Sequence, residues 1–473
     1  MRTLRNHSPL LEVPQGRPNL AQEALLRQNI QRQLPSLEVP QIRLKSELTS
    51  GKCVICGSQA PHSSRSTGHT MNSKTPLMRS AALLIAASSP AGAAATPASQ
   101  PAHSALSKVT TMKSLLVYVG GYSRGESKGL YCFKLDLASG ILTSLGEEPQ
   151  SRNPSFLALS PDGRFLYAAN EISNYNVERA GSVSAYAIDR ATGALTFLNR
   201  QSSKGADPCH LVVDAGQKAV LVANYSGGSV AALPIGPDGK LGEATSFIQH
   251  HGSSVDTHRQ EAPHAHSINM DPANRFALAA DLGLDKILTY RFDPASRTLQ
   301  PADPPCSTIA PGSGPRHLAF HPNGRIAYVI NEMTSTITCC SYNPDNGSLA
   351  EFQTISTLPE DFSGKSTAAE VQVAPNGRFL YGSNRGHDSI ASFKIDPDNG
   401  HLSSTGFQPS GGKTPRGFCV DTTGQYLLAA NQDSNNIVVF KINQETGQLT
   451  PTGQTVEIPA PVCIKMLSML EGD

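Results

Sequence analysis

The sequence contains no tryptophan, and aromatic residues make up only 6% of its 473 positions. It also lacks any run of 18 or more apolar residues, the length that a membrane-spanning helix needs. Lys and Arg together number 39 and Asp and Glu 38, so the formal net charge is only +1. A chain without a basic excess has no broad electrostatic footprint for nucleic acid. We therefore expect a protein that binds neither nucleic acid nor a membrane.

Glycine and proline are abundant, with 40 and 34 copies. Frequent turns and a core of small aliphatic side chains are expected, and long amphipathic helices are not. The nine cysteines are an odd number for a disulfide framework. Six of them lie in apolar, strand-like runs, which predicts buried thiols: Cys132, Cys209, Cys339, Cys340, Cys419 and Cys463.

The first 113 residues lack the regular patterning of the rest of the chain. We interpret residues 1–70 as a leader of low order, upstream of a second candidate start at Met71. Residues 71–113 resemble a secretory signal followed by a linker rich in Ala, Ser and Pro. The alternative is a disordered linker without export, because thiols are awkward in an oxidising compartment. The first interpretation predicts an exported, periplasmic protein, and the second a cytoplasmic one.

A short Cys-x-x-Cys motif lies in the leader, at Cys53 and Cys56, with His62 and His69 after it. The gap between the cysteines and the histidines is much shorter than in zinc fingers. We therefore predict no metal site there.

Seven copies of one repeat follow residue 113. One residue recurs at the end of an apolar run, 47 to 57 positions apart, as Asn170, Asn224, Asp281, Asn331, Asn384 and Asn431, with Gly121 in the first copy. A Gly-x-Leu motif closes each copy at Gly140, Gly193, Gly239, Gly347, Gly400 and Gly447, with Arg297 in the degenerate seventh. Regular self-similarity of this period is typical of repeat architectures.

Each repeat contains four short strand-like runs, separated by turn dipeptides such as Asp162-Gly163. A period near 50 with four strands predicts a propeller blade. The segment 461–464 matches the first strand of other repeats, whereas the first repeat begins at its second strand, 115–119. We predict an all-β, seven-bladed propeller over residues 114–468, closed by the C-terminal strand.

The repeat alignment sorts side chains by face. The start of each innermost strand holds Ser155, Cys209, His266, Arg316, Ala369 and Arg416, and the next position holds Phe156, His210, Ser267, His317, Glu370 and Gly417. The segments after the second strands carry Glu171, Asp285, Glu332, Arg385, His387 and Gln432. All of these fall on one mouth of the central channel, where a polar ligand pocket is expected.

Charged residues near a propeller axis are costly unless they pair or bind a ligand. We therefore predict functional roles for His266, Arg316, Glu332 and Arg385. For the recurring Asn slots we predict local backbone capping instead. His250, His251 and His258 lie in an insertion between repeats three and four, and we expect a solvated loop there rather than a lid.

Six motifs carry a family resemblance, at residues 263–267, 281–285, 314–317, 331–332, 383–388 and 414–417. In order and content they resemble the seven-bladed propeller lactonases, namely the propeller-type 6-phosphogluconolactonases and the fungal carboxymuconate-lactonizing enzyme. The resemblance covers essentially all of 114–468.

The resemblance implies metal-independent opening of a sugar 1,5-lactone, typically 6-phosphoglucono-1,5-lactone. We expect no cofactor, a substrate with or without a phosphate group, and a monomeric enzyme. It places the catalytic His, two Arg and Glu of the lactonizing branch at His266, Arg316, Arg385 and Glu332. The other polar residues of the mouth are predicted to bind substrate: Glu171, His210, His264, His317, Glu370, His387 and Arg416. A lactonizing cycloisomerase and a non-catalytic binding propeller are the alternatives. The sequence has no Gly-x-Ser-x-Gly motif, which argues against an acyl-enzyme.

Overall fold

The structure of the protein is a computed structural model that describes residues 113–469, apart from positions 126 and 148. This part of the chain forms 28 β-strands, arranged as seven antiparallel sheets of four strands each. It contains no helix, and therefore none that is long and apolar enough to cross a membrane. The all-β, seven-bladed propeller predicted from the repeats is confirmed. The predicted leader, signal and linker segments and the Cys53/Cys56 motif lie outside the described residues.

The strands follow one another blade by blade. Blade one contains β1 (Ser114–Gly121), β2 (Leu130–Asp136) and β3 (Leu142–Glu147). Blade two contains β4 (Pro154–Leu159), β5 (Phe165–Asn170), β6 (Ser182–Ile188) and β7 (Leu195–Ser202). Blade three contains β8 (Pro208–Val213), β9 (Ala219–Asn224), β10 (Ser229–Pro234) and β11 (Ser246–Gln249). Blade four contains β12 (Ala265–Met270), β13 (Phe276–Asp281), β14 (Lys286–Asp293) and β15 (Thr298–Thr308).

The remaining blades repeat this order. Blade five contains β16 (Pro315–Phe320), β17 (Ile326–Asn331), β18 (Thr336–Tyr342) and β19 (Leu349–Ser356). Blade six contains β20 (Thr367–Val373), β21 (Phe379–Arg385), β22 (Ser389–Ile395) and β23 (Leu402–Pro409). Blade seven contains β24 (Pro415–Val420), β25 (Tyr426–Asn431), β26 (Asn436–Ile442) and β27 (Leu449–Glu457). The last strand, β28 (Pro461–Ser468), belongs to blade one.

Burial falls from the second to the fourth strand of a blade. Every residue of β5, β9 and β25 is buried, and these strands are continuous apolar runs that end in Asn. Such runs are expected where neighbouring blades cover both faces of a sheet. In the outermost strands β7 and β27 only the first residue, a leucine, is fully buried. The apolar core therefore lies between the blades and near the axis.

A hydrogen bond between neighbouring blades explains the recurring Gly-x-Leu motif. The hydroxyl of Tyr118 donates to the carbonyl of Gly193 at 2.8 Å, and Tyr167 donates to Gly239 at 3.0 Å. Two more pairs, Tyr328 with Gly400 and Tyr381 with Gly447, have the same geometry at 2.9 Å. These glycines have φ between 74° and 84°, a left-handed conformation that favours glycine. The motif thus closes a turn and joins two blades.

The C-terminal strand closes the ring as predicted. β28 pairs antiparallel with β1, from Leu115 opposite Ser468 to Gly121 opposite Pro461. It occupies the innermost position of blade one and packs between β24 and β4. The inner edge of β1 is therefore paired, and each of the seven blades has four strands.

A β-bulge at the same position of every innermost strand shapes the channel mouth. Each of six strands inserts one extra residue against its partner, namely Ser155, Cys209, His266, Arg316, Arg416 and Val462. In β20 the extra residue falls within the pair Ala369 and Glu370. A bulge re-aims a side chain that would otherwise alternate across the sheet. The bulges fall at the positions that the repeat alignment placed at the start of each innermost strand.

Four of the five recurring Asn residues cap local backbone, as predicted, whereas the amide of Asn331 donates to the hydroxyls of Thr336 and Thr338. The side-chain amide of Asn170 donates to the carbonyl of Arg152 at 2.8 Å, and Asn384 donates to that of Thr357 at 2.6 Å. Asn431 donates to the carbonyl of Ser410 at 3.1 Å. The prediction of buried thiols is also confirmed, because all six of those cysteines are buried and the described residues contain no disulfide.

The expectation of a solvated loop around His250 is wrong for that residue. Its ring is buried, with Nδ1 2.6 Å from an Asp281 carboxylate oxygen and Nε2 2.8 Å from the Tyr290 hydroxyl. The aspartate that replaces Asn in the fourth repeat supplies a second hydrogen-bonding oxygen, which holds the ring. His251 and His258 are exposed, as expected for a loop. The insertion is therefore anchored at its start.

We predict that deleting residues from Pro461 onward lowers the free energy of unfolding by several kcal/mol, or prevents folding. The deletion opens the inner edge of blade one and exposes the apolar side chains of β1. Urea unfolding of the truncated and full-length chains measures the difference. Removal of residues 470–473 alone is the control and should have little effect. An unchanged unfolding midpoint after deletion from Pro461 would mean that the ring closes in another way.

Candidate active site

A cavity of about 250 Å³ opens at the mouth predicted from the topology. Its lining side chains come from blades two to seven and from the insertion before β12: Glu171, Cys209, Tyr225, Arg259, His266, Glu332, Arg385 and Arg416. A smaller cavity of about 10 Å³, roughly the size of one water, shares Glu171, Cys209 and Arg416 with it. All six of the singly bulged residues line one of these two cavities.

The carboxylate of Glu332, directly after β17, is the centre of the larger cavity. Arg259 Nη2 lies 2.5 Å from one of its oxygens, Oε1. The other oxygen, Oε2, is 2.8 Å from Arg385 Nη2 and 3.2 Å from Arg316 Nε. His266 Nε2 lies 3.9 Å from the same oxygen. The structure therefore brings together the four residues predicted to be catalytic.

The three arginines keep the Glu332 carboxylate ionised. Burial alone raises the pKa of this group, but the positive charges of Arg385 and Arg316 and the hydrogen bond from Arg259 outweigh it. The result lowers the pKa of Glu332 to about 2. Burial and the nearby charge of Arg385 lower the pKa of Arg316 to about 9, although Glu332 acts in the opposite direction. One carboxylate therefore does not balance the positive charge around it.

His266 faces Glu332 as a neutral imidazole. Burial, and then the positive charge of Arg316, lower the pKa of His266 well below its usual 6.5. Its Nδ1 lies 3.7 Å from the sulfur of Cys209, whose thiol also contacts the His266 carbonyl at 3.3 Å. Burial raises the pKa of that thiol, so Cys209 is held as a neutral neighbour rather than a thiolate. At neutral pH the imidazole can accept a proton.

A chain of polar contacts supports Arg316 from deeper in the channel. Its Nη1 donates to the carbonyl of Ala369 at 2.6 Å and lies 3.3 Å from His317 Nε2. His317 Nδ1 is in turn 3.3 Å from a carboxylate oxygen of Glu370. The His317 ring packs edge-on against His210, with centroids 5.1 Å apart. His317 and Glu370 line the smaller cavity, while His210 lies against them.

These deep groups favour their neutral forms. Burial lowers the pKa of both His210 and His317 well below 6.5, with the neighbouring His317 and Arg316, respectively, as the next cause. Burial also raises the pKa of Glu370, despite opposing charges from Lys465 and Arg316. Of the residues predicted to bind substrate, these three lie in or against the smaller cavity rather than the larger one.

Glu171 and Arg416 form the opposite wall of the cavity. The Tyr122 hydroxyl lies 3.1 Å from both carboxylate oxygens of Glu171. The guanidinium carbon of Arg416 is 5.7 Å from the centre of the Tyr122 ring, a cation–π distance. Glu171 and Arg416 were both predicted to bind substrate, and both line the cavity, with Tyr122 between them.

Three predicted substrate-binding residues, His210, His264 and His387, do not line either cavity. His387 lies in the turn between β21 and β22, and its Nδ1 lies 2.7 Å from the Ser389 hydroxyl. Its ring packs against Phe362 with centroids 4.7 Å apart, so the prediction that it lines the pocket is wrong. His264 stacks on the ring of Tyr225 at 4.6 Å and supports the wall from behind.

Three residues of the site were missed in the sequence. Tyr122 and Tyr225 occupy the same position after the second strand as Glu171 and Glu332, and that shared slot was a usable signal. Arg259 lies in the insertion before β12, which has no counterpart in the other repeats. No periodicity could place it.

The described residues contain no group of three or more His, Cys, Asp or Glu side chains that could hold a metal ion. The polar groups of the mouth are instead dominated by arginine, which does not ligate metals in proteins and is suited to carboxylate and phosphate groups.

The family model for seven-bladed β-propeller lactonases matches residues 116–466. A 6-phosphogluconolactonase of Bacillus subtilis is 38% identical over 356 residues, which cover 75% of this chain and 99% of that protein. A solved putative 6-phosphogluconolactonase of Bacteroides fragilis is 38% identical, with a TM-score of 0.71, and covers 76% of this chain and 99% of its own. The periplasmic gluconolactonase PpgL of Pseudomonas aeruginosa is 33% identical, with a TM-score of 0.71, over 76% of this chain and 100% of its own.

The chain therefore belongs to the seven-bladed β-propeller lactonase family. It is a lactonase, a hydrolase that acts on a cyclic ester.

We predict that Glu332→Gln lowers the free energy of unfolding by about 3 kcal/mol at pH 6, from the difference between the ordinary pKa of 4.5 and about 2. A depressed folded-state pKa gives stability that is complete above the unfolded pKa and is lost as pH falls toward the folded one. The difference between wild type and variant should therefore shrink between pH 5 and pH 3.

Urea unfolding at several pH values measures that difference. Glu178→Gln is a matched control, because its carboxylate is half exposed and 3.8 Å from Lys204, where an ion pair contributes little. A wild-type to Glu332→Gln difference that is equal at pH 6 and pH 3 would contradict the ionised, arginine-held carboxylate.

Proposed function

We propose that the protein opens a sugar 1,5-lactone to the aldonic acid, with 6-phosphoglucono-1,5-lactone as its substrate. The observation that carries this proposal is a neutral His266 beside an ionised Glu332, with arginines from two further strands aimed at the same point. Hydrolysis of a lactone needs a base for water and positive charge for the developing oxyanion. The cavity supplies both.

His266 is the general base in this mechanism. Its Nε2 lies 3.9 Å from Glu332 Oε2, a separation that accommodates a water hydrogen-bonded to both atoms. Glu332 is a poor base because its pKa is lowered to about 2 by the arginines. Its role is to orient water and to hold the guanidinium groups. The mechanism therefore assigns the proton transfer to His266 alone.

The chemistry then proceeds through a tetrahedral intermediate. The water oxygen bonds to the lactone carbonyl carbon as its proton passes to His266 Nε2. The carbonyl oxygen becomes an oxyanion, and the bond from the carbonyl carbon to the ring oxygen then breaks. The imidazolium returns its proton to that ring oxygen, which leaves a hydroxyl group and a carboxylic acid. His266 ends the cycle as the neutral base.

Arg316 and Arg385 stabilise the oxyanion. The Nε atoms of both are buried and have no hydrogen-bond partner among the described residues. For Arg316 the distance to Glu332 is 3.2 Å, but the atoms are not aligned for a hydrogen bond. Arg385 lines the larger cavity and Arg316 lines the smaller one beside it, so their positive charges lie close to an oxyanion that develops next to His266.

The charge of the cavity supports a phosphorylated substrate. Three arginines, Arg259, Arg385 and Arg416, line it with two carboxylates, Glu171 and Glu332, and Arg316 approaches Glu332 from the smaller cavity. This excess of positive charge favours an anionic substrate such as a phosphate ester and is costly without one. The relatives named 6-phosphogluconolactonase agree with this choice.

A neutral lactone is the second candidate substrate. The P. aeruginosa relative is named a periplasmic gluconolactonase, and an export signal at residues 71–113 would take this chain away from sugar phosphates. Lactonizing cycloisomerisation of a dicarboxylate would use the same cationic site in ring closure. A non-catalytic binding propeller is disfavoured by the charged mouth, because protein-binding surfaces are depleted of charge at their centre.

We predict that Arg316→Lys and Arg385→Lys each lower kcat/KM for 6-phosphogluconolactone by at least about tenfold, with the fold intact. Lysine keeps the charge but loses the planar donors that the oxyanion needs. Rates are corrected for spontaneous lactone hydrolysis, and urea unfolding checks the fold. Arg325→Lys is the control, because this exposed arginine lies in a turn on the opposite face. Near wild-type kcat/KM in both site variants would place the chemistry elsewhere.

A further inference from the structure

The insertion before β12 forms part of the site through a single side chain, Arg259. The insertion begins at the buried His250 and is held further along by Gln260, whose buried amide donates to the Leu282 carbonyl at 2.8 Å. The Ser254 hydroxyl donates to the Asp285 carboxylate at 2.6 Å. These contacts fix the backbone on both sides of Arg259.

Arg259 is the outermost of the arginines that contact Glu332. Its side chain is 40% exposed, against 3% for Arg316 and 14% for Arg385. The two buried arginines approach Glu332 Oε2, next to His266, whereas Arg259 approaches Oε1. In the proposed mechanism the reacting carbonyl lies next to the buried Arg316 and Arg385. Arg259 therefore lies next to the part of the substrate that is nearer to solvent.

The guanidinium of Arg259 keeps donors for a ligand. Both of its side-chain hydrogen bonds within the described residues use Nη2, to Glu332 Oε1 at 2.5 Å and to the Tyr225 hydroxyl at 3.4 Å. Nε and Nη1 are left for an anion. The Tyr225 ring, braced from behind by His264, limits where the guanidinium can move.

We propose that Arg259 contacts the phosphate of the substrate and determines the preference for a phosphorylated over a neutral lactone. The inference rests on the proposed lactonase function. A phosphate dianion is strongly hydrated, and it suits a half-exposed arginine at the cavity mouth better than the buried arginines beneath. Arg259 then determines the selectivity between phosphorylated and neutral lactones, whereas Arg316 and Arg385 act on the carbonyl group that both lactones have.

The test compares two lactones on the full-length protein. We measure kcat/KM with 6-phosphogluconolactone and with gluconolactone, for wild type and for Arg259→Gln. Both values are expected to fall, because the variant also removes one partner of Glu332. The fall should be at least about tenfold larger for the phosphorylated lactone, because only that substrate loses an ion pair. Arg259→Lys should lose less of this ratio than Arg259→Gln.

Arg124→Gln is the matched control for loss of one positive charge. Arg124 follows β1 on the same mouth, is 61% exposed and pairs with Asp433 at 3.5 Å rather than with Glu332. The ratio of the two kcat/KM values should be unchanged in this variant. An equal change of the ratio in both variants would mean that general electrostatics, not contact, sets the preference, and would overturn the proposal.

The outcomes separate this inference from the function on which it rests. A wild-type protein inactive on both lactones would contradict the proposed function itself. An active wild type whose preference is unaltered by Arg259→Gln would overturn only the role of Arg259.

Discussion

The buried carboxylate of Glu332 is the interaction on which the site depends. Three guanidinium groups from two blades and an insertion converge on its two oxygens. A buried charge is tolerated only when it is paired, and removal of one partner leaves the others uncompensated. Glu332 therefore does more than balance charge. It fixes the directions of Arg316 and Arg385, while burial and the charge of Arg316 lower the pKa of His266 and keep it neutral. In the proposed mechanism, one site thus contains both a base and an oxyanion-binding group.

The propeller supplies the rigidity that such a site needs. Each functional side chain lies on a strand, at a strand end or on a loop fixed by buried hydrogen bonds, and closure of the ring by β28 holds the strands around one axis. The repeated bulge aims successive strand-start side chains at the channel mouth. Because the bulge is a backbone feature, the residue type in each blade is free to vary, and Cys209, His266, Arg316 and Arg416 occupy equivalent positions. The chemistry of the site therefore depends on which residue type each blade has at its bulge position.

Most of this arrangement could be predicted from the repeats. The shared position of Glu332 and Glu171 after the second strand, and the strand-start position of His266 and Arg316, placed them at one mouth without coordinates. His387 could not be placed in this way, because it lies in the turn between β21 and β22, where its ring packs against Phe362. Arg259 was missed because an insertion has no repeat register, and the burial of His250 depends on hydrogen bonds that only the fold creates. Periodicity thus determines position within a blade, but not the direction of a side chain beyond the last paired residue.

The pH dependence of kcat/KM tests the central claim, a neutral His266 acting as base beside an ionised Glu332. Burial and Arg316 lower the pKa of His266 well below 6.5, so the base stays neutral as pH falls through that value. The account predicts a flat profile from pH 8 to pH 6.5 with the acid limb below 6.5. It also predicts that His266→Asn lowers the plateau by about a hundredfold or more. An acid limb at or above pH 6.5, or a plateau retained in His266→Asn, would contradict it.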